Sequence, residues 1–183
     1  PAVALSHPTA IIGDLDGASR DVDDEVFPVT LPVALTLYGK SSADIKVSSN
    51  GLLGLGNLNW EFTNSPLPYG DPSNFGDVVA LGFWDDLYIY QGTQQGIYYQ
   101  VSGSAPNRQT IFEFYISKYR DPTQYYHFLM KFAEDKPNFV TYQYLSVSDL
   151  GRSATVGIES TLTNNVTLTA QYQQFSFNQP VIC

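Results

Sequence analysis

Short apolar runs with a period of two, each closed by Gly, Pro, Asn, Asp or Ser, fill the chain from Val26 to Phe175, and helical periodicity is almost absent. A chain punctuated in this way folds as strands joined by turns, in a sandwich or a barrel. The length of 183 residues fits one domain with a sizeable core. Thirteen Tyr and eleven Phe lift the aromatic share to 14%, and aromatic side chains favour pleated, half-buried surfaces. The expected fold is a single all-β domain over residues 1–183, an antiparallel β-sandwich of jelly-roll-like form.

The expected strands follow from the punctuation. Val26–Leu31 and Val33–Tyr38 are split by Pro32, which cannot donate to a ladder and belongs at an edge or a bend. Asp44–Ser49 and Leu52–Leu55 flank Asn50-Gly51, the sequence of a type I′ hairpin with positive φ at both central residues. Val78–Tyr90 reads as one strand and Gly96–Val101 as the next. Thr110–Tyr119, Tyr125–Glu134 and Phe139–Val147 are long and consecutive, with turns at Asp121-Pro122 and Asp135-Lys136-Pro137-Asn138. Ala154–Glu159 and Val166–Phe175 complete the set. Alternation puts Phe112, Phe114 and Ile116, and Phe128, Met130 and Phe132, on core faces. Ile45 with Val47, and Val166 with Leu168, fit the same scheme. The opposite faces, with Glu113, Tyr115, Ser117, Tyr125, His127 and Lys131, read as solvated or half-buried. Residues 1–25 read as a non-strand acidic segment. Residues 57–77 read as a long loop, and loops of that length are often functional.

Charge excludes some roles. Eighteen acidic residues against nine basic ones give a net charge of −9, with no Lys/Arg cluster, so no nucleic-acid partner is expected. No apolar run reaches the roughly 20 residues of a membrane-spanning helix, so no membrane insertion is expected. The opening Pro1-Ala2-Val3-Ala4 reads as a processed or trimmed terminus and favours secretion. Asn165-Val166-Thr167 is a glycosylation sequon, meaningful at Asn165 in a secreted chain. Cys183 is the one cysteine, which forbids an intramolecular disulfide. It reads either as an incidental thiol or as an interchain link.

The order of several motifs resembles a known family. Val29-Thr30-Leu31-Pro32, Leu37-Tyr38-Gly39 and Ile45-Lys46-Val47-Ser48-Ser49-Asn50-Gly51 look like the opening of nidogen-like extracellular β domains and their microbial or fungal relatives. Ala80-Leu81-Gly82-Phe83-Trp84-Asp85-Asp86-Leu87 resembles the Phe-Trp-x-Asp element that follows. Gly96-Ile97-Tyr98-Tyr99, His127-Phe128-Leu129-Met130, Val140-Thr141-Tyr142-Gln143-Tyr144 and Ala154-Thr155-Val156-Gly157-Ile158-Glu159 continue the match over roughly residues 25–160. The resemblance implies an extracellular β-sandwich associated with adhesion, matrix or surface assembly, and no catalytic residues.

Two constellations stand out among the residues themselves. Asp14, Asp16, Asp21, Asp23, Asp24 and Glu25 crowd the segment before the first long strand, with Gly13 and Gly17 interleaved. Asp-x-Asp spacing in a glycine-bearing loop suits a hard cation such as Ca²⁺, which takes six to eight oxygen ligands. Position six of an EF-type loop counted from Asp14 is Ser19, so this is no EF-hand. The plain alternative is a solvated acidic segment. Asp85-Asp86 is a second acidic pair. Neighbouring strand residues face opposite ways, so both cannot line one site without a bulge: the pair reads as one solvated Asp and one hydrogen-bonded to a turn, or alternatively one of them joins the N-terminal carboxylates around a metal. The candidate metal ligands are thus Asp14, Asp16, Asp21, Asp23, Asp85 and Asp86.

The second constellation is aromatic. Trp60, Tyr69, Trp84, Tyr88 and Tyr98 are the candidate ligand-binding residues, a platform for a glycan or a small aromatic compound, against the alternative that they belong to core or rim. No His-x-His, His-Glu-x-x-His or Gly-x-Ser-x-Gly pattern is present, and no enzyme is expected. The expected protein is a secreted or cell-surface, non-catalytic module for adhesion or self-assembly. It is expected to be cation-stabilised, with a protein or glycan partner and a homodimeric state. The alternatives are a chromoprotein or small-molecule carrier and a lectin-like glycan binder.

Overall fold

The computed structural model describes residues 3–13, 15, 20–69, 73–161, 165–171 and 180–182, the last two ranges through their backbone. Among them lie β1 (Thr9–Gly13), β2 (Val22–Asp23), β3 (Val26–Leu37), β4 (Lys40–Ser48), β5 (Leu52–Gly54), β6 (Val78–Trp84) and β7 (Leu87–Ile89). β8 (Gly96–Ser102), β9 (Gln109–Lys118), β10 (Asp121–Ala133), β11 (Thr141–Val147), β12 (Thr155–Ser160), β13 (Asn165–Gln171) and β14 (Pro180–Ile182) follow. One sheet runs β1-β8-β9-β10-β11-β14, with β2 and β7 extending it beside β9, and the other runs β13-β12-β6-β5-β4-β3. All pairings are antiparallel. The two sheets face each other as an all-β sandwich.

The alternation seen in the sequence builds the interior. Phe112, Phe114 and Ile116 of β9 and Phe128, Met130 and Phe132 of β10 point between the sheets onto Ile45, Val47, Ala80 and Val156. Phe114 stacks on Phe128 at a centroid separation of 4.8 Å. Each such side chain contributes about 1.5–3 kcal/mol by leaving water. Pro32 lies in β3, at the edge of its sheet, inside the register shift between Thr30 and Leu35. No ladder bond is lost there.

β6 is buried along its whole length. One face meets the inter-sheet core and the other meets a second cluster of Leu52, Leu58, Leu67, Phe75, Val79, Leu81 and Trp84. The loop over residues 57–77 forms that second cover. Among its described residues Leu58 bridges to Phe75, and Tyr69 and Phe75 pack edge-on against Trp84 at centroid distances of 5.2 and 4.9 Å and tilted against each other at 5.0 Å.

Four expectations are corrected. Residues 1–25 are not strand-free: β1 pairs with β8, with an irregularity at Ile11 that lets Ile11 and Ile12 both pack on the core. The run Val78–Tyr90 is two strands in different sheets, broken at Asp85-Asp86. Asn50-Gly51 is not a two-residue type I′ turn, because Ser48 pairs with Leu52 and only Gly51 has positive φ (79°). Last, the outer face of β9 and β10 is not solvated at Glu113, Ser117 and His127, which are 0%, 0% and 3% exposed. Residues 4–7 lie over this face: the Ala4 and Leu5 amides donate to the two oxygens of Glu113 at 2.6 and 2.9 Å. Gln95 Nε2 donates to Ser117 Oγ at 2.6 Å on the same face.

Candidate metal centre at the sheet-crossing corner

The chain passes between the sheets twice at one corner. It leaves the first sheet at β2 and enters the second at β3, turning on Asp24, whose φ is 48°. It returns between β6 and β7, turning on Asp85-Asp86. The two crossings run in opposite directions and bring Asp23, Asp24 and Asp86 together, each offering a carboxylate oxygen within 4.8 Å of the others. Asp23 is exposed, and Asp24 and Asp86 are half-buried, so the group opens to solvent from one side.

Asn50 fixes the corner from below. It is fully buried, and its Oδ1 accepts from the Leu87 amide at 3.0 Å. Its Nδ2 donates to Asp24 Oδ1 at 2.8 Å and to the Trp60 carbonyl at 2.9 Å. This one amide joins both crossings to the start of the long loop. Gly51 beside it could carry no side chain, because a Cβ there would sit 2.1 Å from the Phe83 carbonyl oxygen.

The carboxylates are in electrostatic tension. Asp86 is pushed up to about 6 by burial first and then by Asp24, Asp23 and Asp85, against the opposing Lys118 ammonium. Burial and Asp24 also raise Asp23, with Arg120 acting against them. Folded Asp86 therefore holds its proton to higher pH than the unfolded chain does, and charging it costs stability. That cost is absent below its unfolded value of 3.8 and complete above about 6. In chelator, the wild type is expected to lose melting temperature relative to Asp86→Asn as pH rises through this window. A pH series of thermal melts on both proteins measures it; parallel curves would contradict the assignment.

The expected ligands divide. Asp23 and Asp86 join the cluster, together with Asp24 from the same acidic run. Asp85 turns away: it is 5% exposed, accepts from Lys118 Nζ at 3.0 Å and from Ser153 Oγ at 2.5 Å, and caps the Asp86 amide at 2.9 Å. Asp21 accepts from the Gln91 amide at 2.9 Å, and Glu25 pairs with Arg20 at 2.5 Å. Asp14 and Asp16 lie outside the described residues. Nothing in the spacing alone singled out Asp24; its left-handed turn and its bond to Asn50 do so.

The aromatic candidates also divide. Trp84 and Tyr98 are fully buried, so they are core residues and not a platform. Trp84 Nε1 donates to the Glu61 carbonyl at 2.9 Å, and Tyr69 packs on Trp84, so both hold the long loop down. Tyr88 is half-buried against Tyr90 and Tyr119 at 4.6 and 5.7 Å. Trp60 is 48% exposed and stacks on Phe62, 38% exposed, at 6.3 Å. Asn165 opens β13; its side chain and Cys183 lie outside the described residues.

A family model described as NIDO related matches residues 7–181, nearly the whole chain. No curated protein and no solved structure matches it.

Proposed function

The chain belongs to the NIDO-related family, and on that premise we propose a secreted or cell-surface, non-catalytic binding and assembly module whose fold is stabilised by a divalent cation, calcium first. The observation that carries the cation reading is the meeting of Asp23, Asp24 and Asp86 at the double crossing. Hard cations take oxygen ligands, and carboxylates that repel one another and resist ionisation gain most from such an ion. Backbone carbonyls and water would complete the six to eight ligands that calcium takes. Bound there, the ion would tie β2–β3 to β6–β7 and so lock the two sheets at one end.

Thermal melts in millimolar calcium and in EDTA test this reading. An ion present at about 100 times its dissociation constant stabilises by about 2.7 kcal/mol. For a chain of this size that is a rise of roughly 5–10 °C. Asp86→Asn should lose most of the rise. Identical melts with and without calcium would overturn the cation reading.

A surface partner or glycan is the second reading. It draws support from the exposed Trp60–Phe62 pair on a loop whose backbone is held by Asn50 and Trp84. Aromatics that are already ordered lose little entropy on binding. The small-molecule carrier reading loses Trp84 and Tyr98 to the core.

A further inference from the structure

The two ends of the sandwich carry complementary surfaces. At the crossing corner lie the exposed Trp60 and Phe62, with Asp23, Asp24 and Asp86 beside them. β10 starts next to this corner: Tyr119, in the turn that precedes it, donates from its amide to the Asp86 carbonyl at 3.0 Å. It runs for 13 residues to Ala133 at the other end. At the rise of an extended strand that is roughly 40 Å. There, a recess of about 230 Å³ is lined by Gln109, Lys131, Ala133, Lys136, Phe139 and Thr141. Phe139 is 55% exposed, the most exposed of the large apolar side chains described.

Cations are scarce in this chain, with nine Lys and Arg against eighteen Asp and Glu. Arg20, Lys40, Arg108 and Lys118 are paired with Glu25, Asp77, Glu134 and Asp85. Lys46 donates to Asn57, and Arg120 lies over the Tyr119 ring. Lys46, Arg120, Lys131, Lys136 and the exposed Arg152 hold no ion pair among the described residues, and of these Lys131 and Lys136 flank the same exposed Phe. An acidic chain that sets two unpaired ammonium groups around an exposed aromatic has a surface fitted to an acidic, aromatic partner. Its own far end has that chemistry.

We propose that copies of this chain associate head to tail, the Trp60–Phe62 end of one seated on the Lys131–Lys136–Phe139 recess of the next. This rests on the self-assembly reading above. Copies at a net charge of −9 repel side by side, whereas this contact pairs opposite charges and buries aromatic surface on both sides. Joining different ends makes the interface heterologous, so it leads to open chains unless the rotation closes a ring.

Sedimentation velocity over a range of concentrations in EDTA, where no ion offsets the charge of Asp23, Asp24 and Asp86, tests the proposal. The wild type should grow in mass with concentration and shrink with added salt. Lys131→Glu/Lys136→Glu and Trp60→Ser/Phe62→Ser should each weaken association at least tenfold while each variant still melts cooperatively, since Trp60, Phe62 and Lys136 are exposed and Lys131 is half-buried. Each variant retains one intact end, so mixing the two should give a one-to-one pair that grows no further. A wild type that stays monomeric overturns both the self-assembly reading and this interface. A wild type that associates while either variant associates equally well overturns this interface alone, as does failure of the mixed variants to pair. The cation reading is scored separately, by the melts.

Discussion

Glu113→Ala is expected to destabilise the protein by about 3–5 kcal/mol, because three partners of its carboxylate are left unpaired at about 1–3 kcal/mol each. Glu113 is fully buried on the outer side of β9, and His127 on β10 lies beside it, with Nε2 at 2.6 Å from its carboxylate. The Ala4 amide shares the oxygen that Nε2 contacts, and the Leu5 amide donates to the other. Alanine would leave the buried His127 imidazole and the part-buried Ala4 and Leu5 amides without their carboxylate partner. Glu113→Gln keeps the shape and one acceptor, and should fall between alanine and the wild type. Urea denaturation reads the effect: the midpoint should fall with an unchanged slope. A reduced slope with little loss of midpoint would mean that only residues 4–7 detach. A loss below about 1 kcal/mol would show that the pair does not hold the face together.

Asn50→Ala should cost about 3–4 kcal/mol and also weaken calcium binding tenfold or more. Its side chain makes three bonds in a buried place, and each orphaned partner costs about 1–3 kcal/mol. The Leu87 amide loses its acceptor at the second crossing, and the Trp60 carbonyl loses its donor at the start of the loop. Asp24 loses the contact that aims its carboxylate. Asn50→Asp makes the comparison sharper. It keeps the size and an acceptor for Leu87, but it faces Asp24 and the Trp60 carbonyl with an oxygen in place of an NH₂. Its destabilisation should be largest in EDTA above about pH 6 and should shrink in calcium. An Asn50→Ala protein as stable as the wild type would show that the corner is not held by this amide.

Much of the fold could be read from local pattern. The alternation in Phe112–Ile116 and Phe128–Phe132 is dictated by the pleat, and Pro32 reports an edge because it has no N–H to give. What local pattern hides is which sheet a strand joins. Val78–Trp84 and Leu87–Ile89 are both apolar, and only the bend at Asp85-Asp86 separates them. The Glu113–His127 face was misread for a related reason. Alternation says that those residues point away from the core, but not that residues 4–7, more than 100 positions away in the chain, cover them. Only part of the acidic segment meets at the crossing corner. Carboxylates in a row look alike in sequence, and only the two crossings decide that Asp23, Asp24 and Asp86 meet while Asp85 and Asp21 are used elsewhere. Aromatic content likewise gave no means to tell Trp84, which seals the second core, from Trp60, which faces water.

The most direct test of the proposed cation lock at this corner is equilibrium dialysis of the chelator-treated protein against calcium at neutral pH and moderate salt, with Asp24→Asn and Asp86→Asn proteins in parallel. One ion per chain in the wild type, with binding weakened at least tenfold in each variant, is the predicted result. No saturable binding by the wild type, or equal binding by the wild type and both variants, would contradict it.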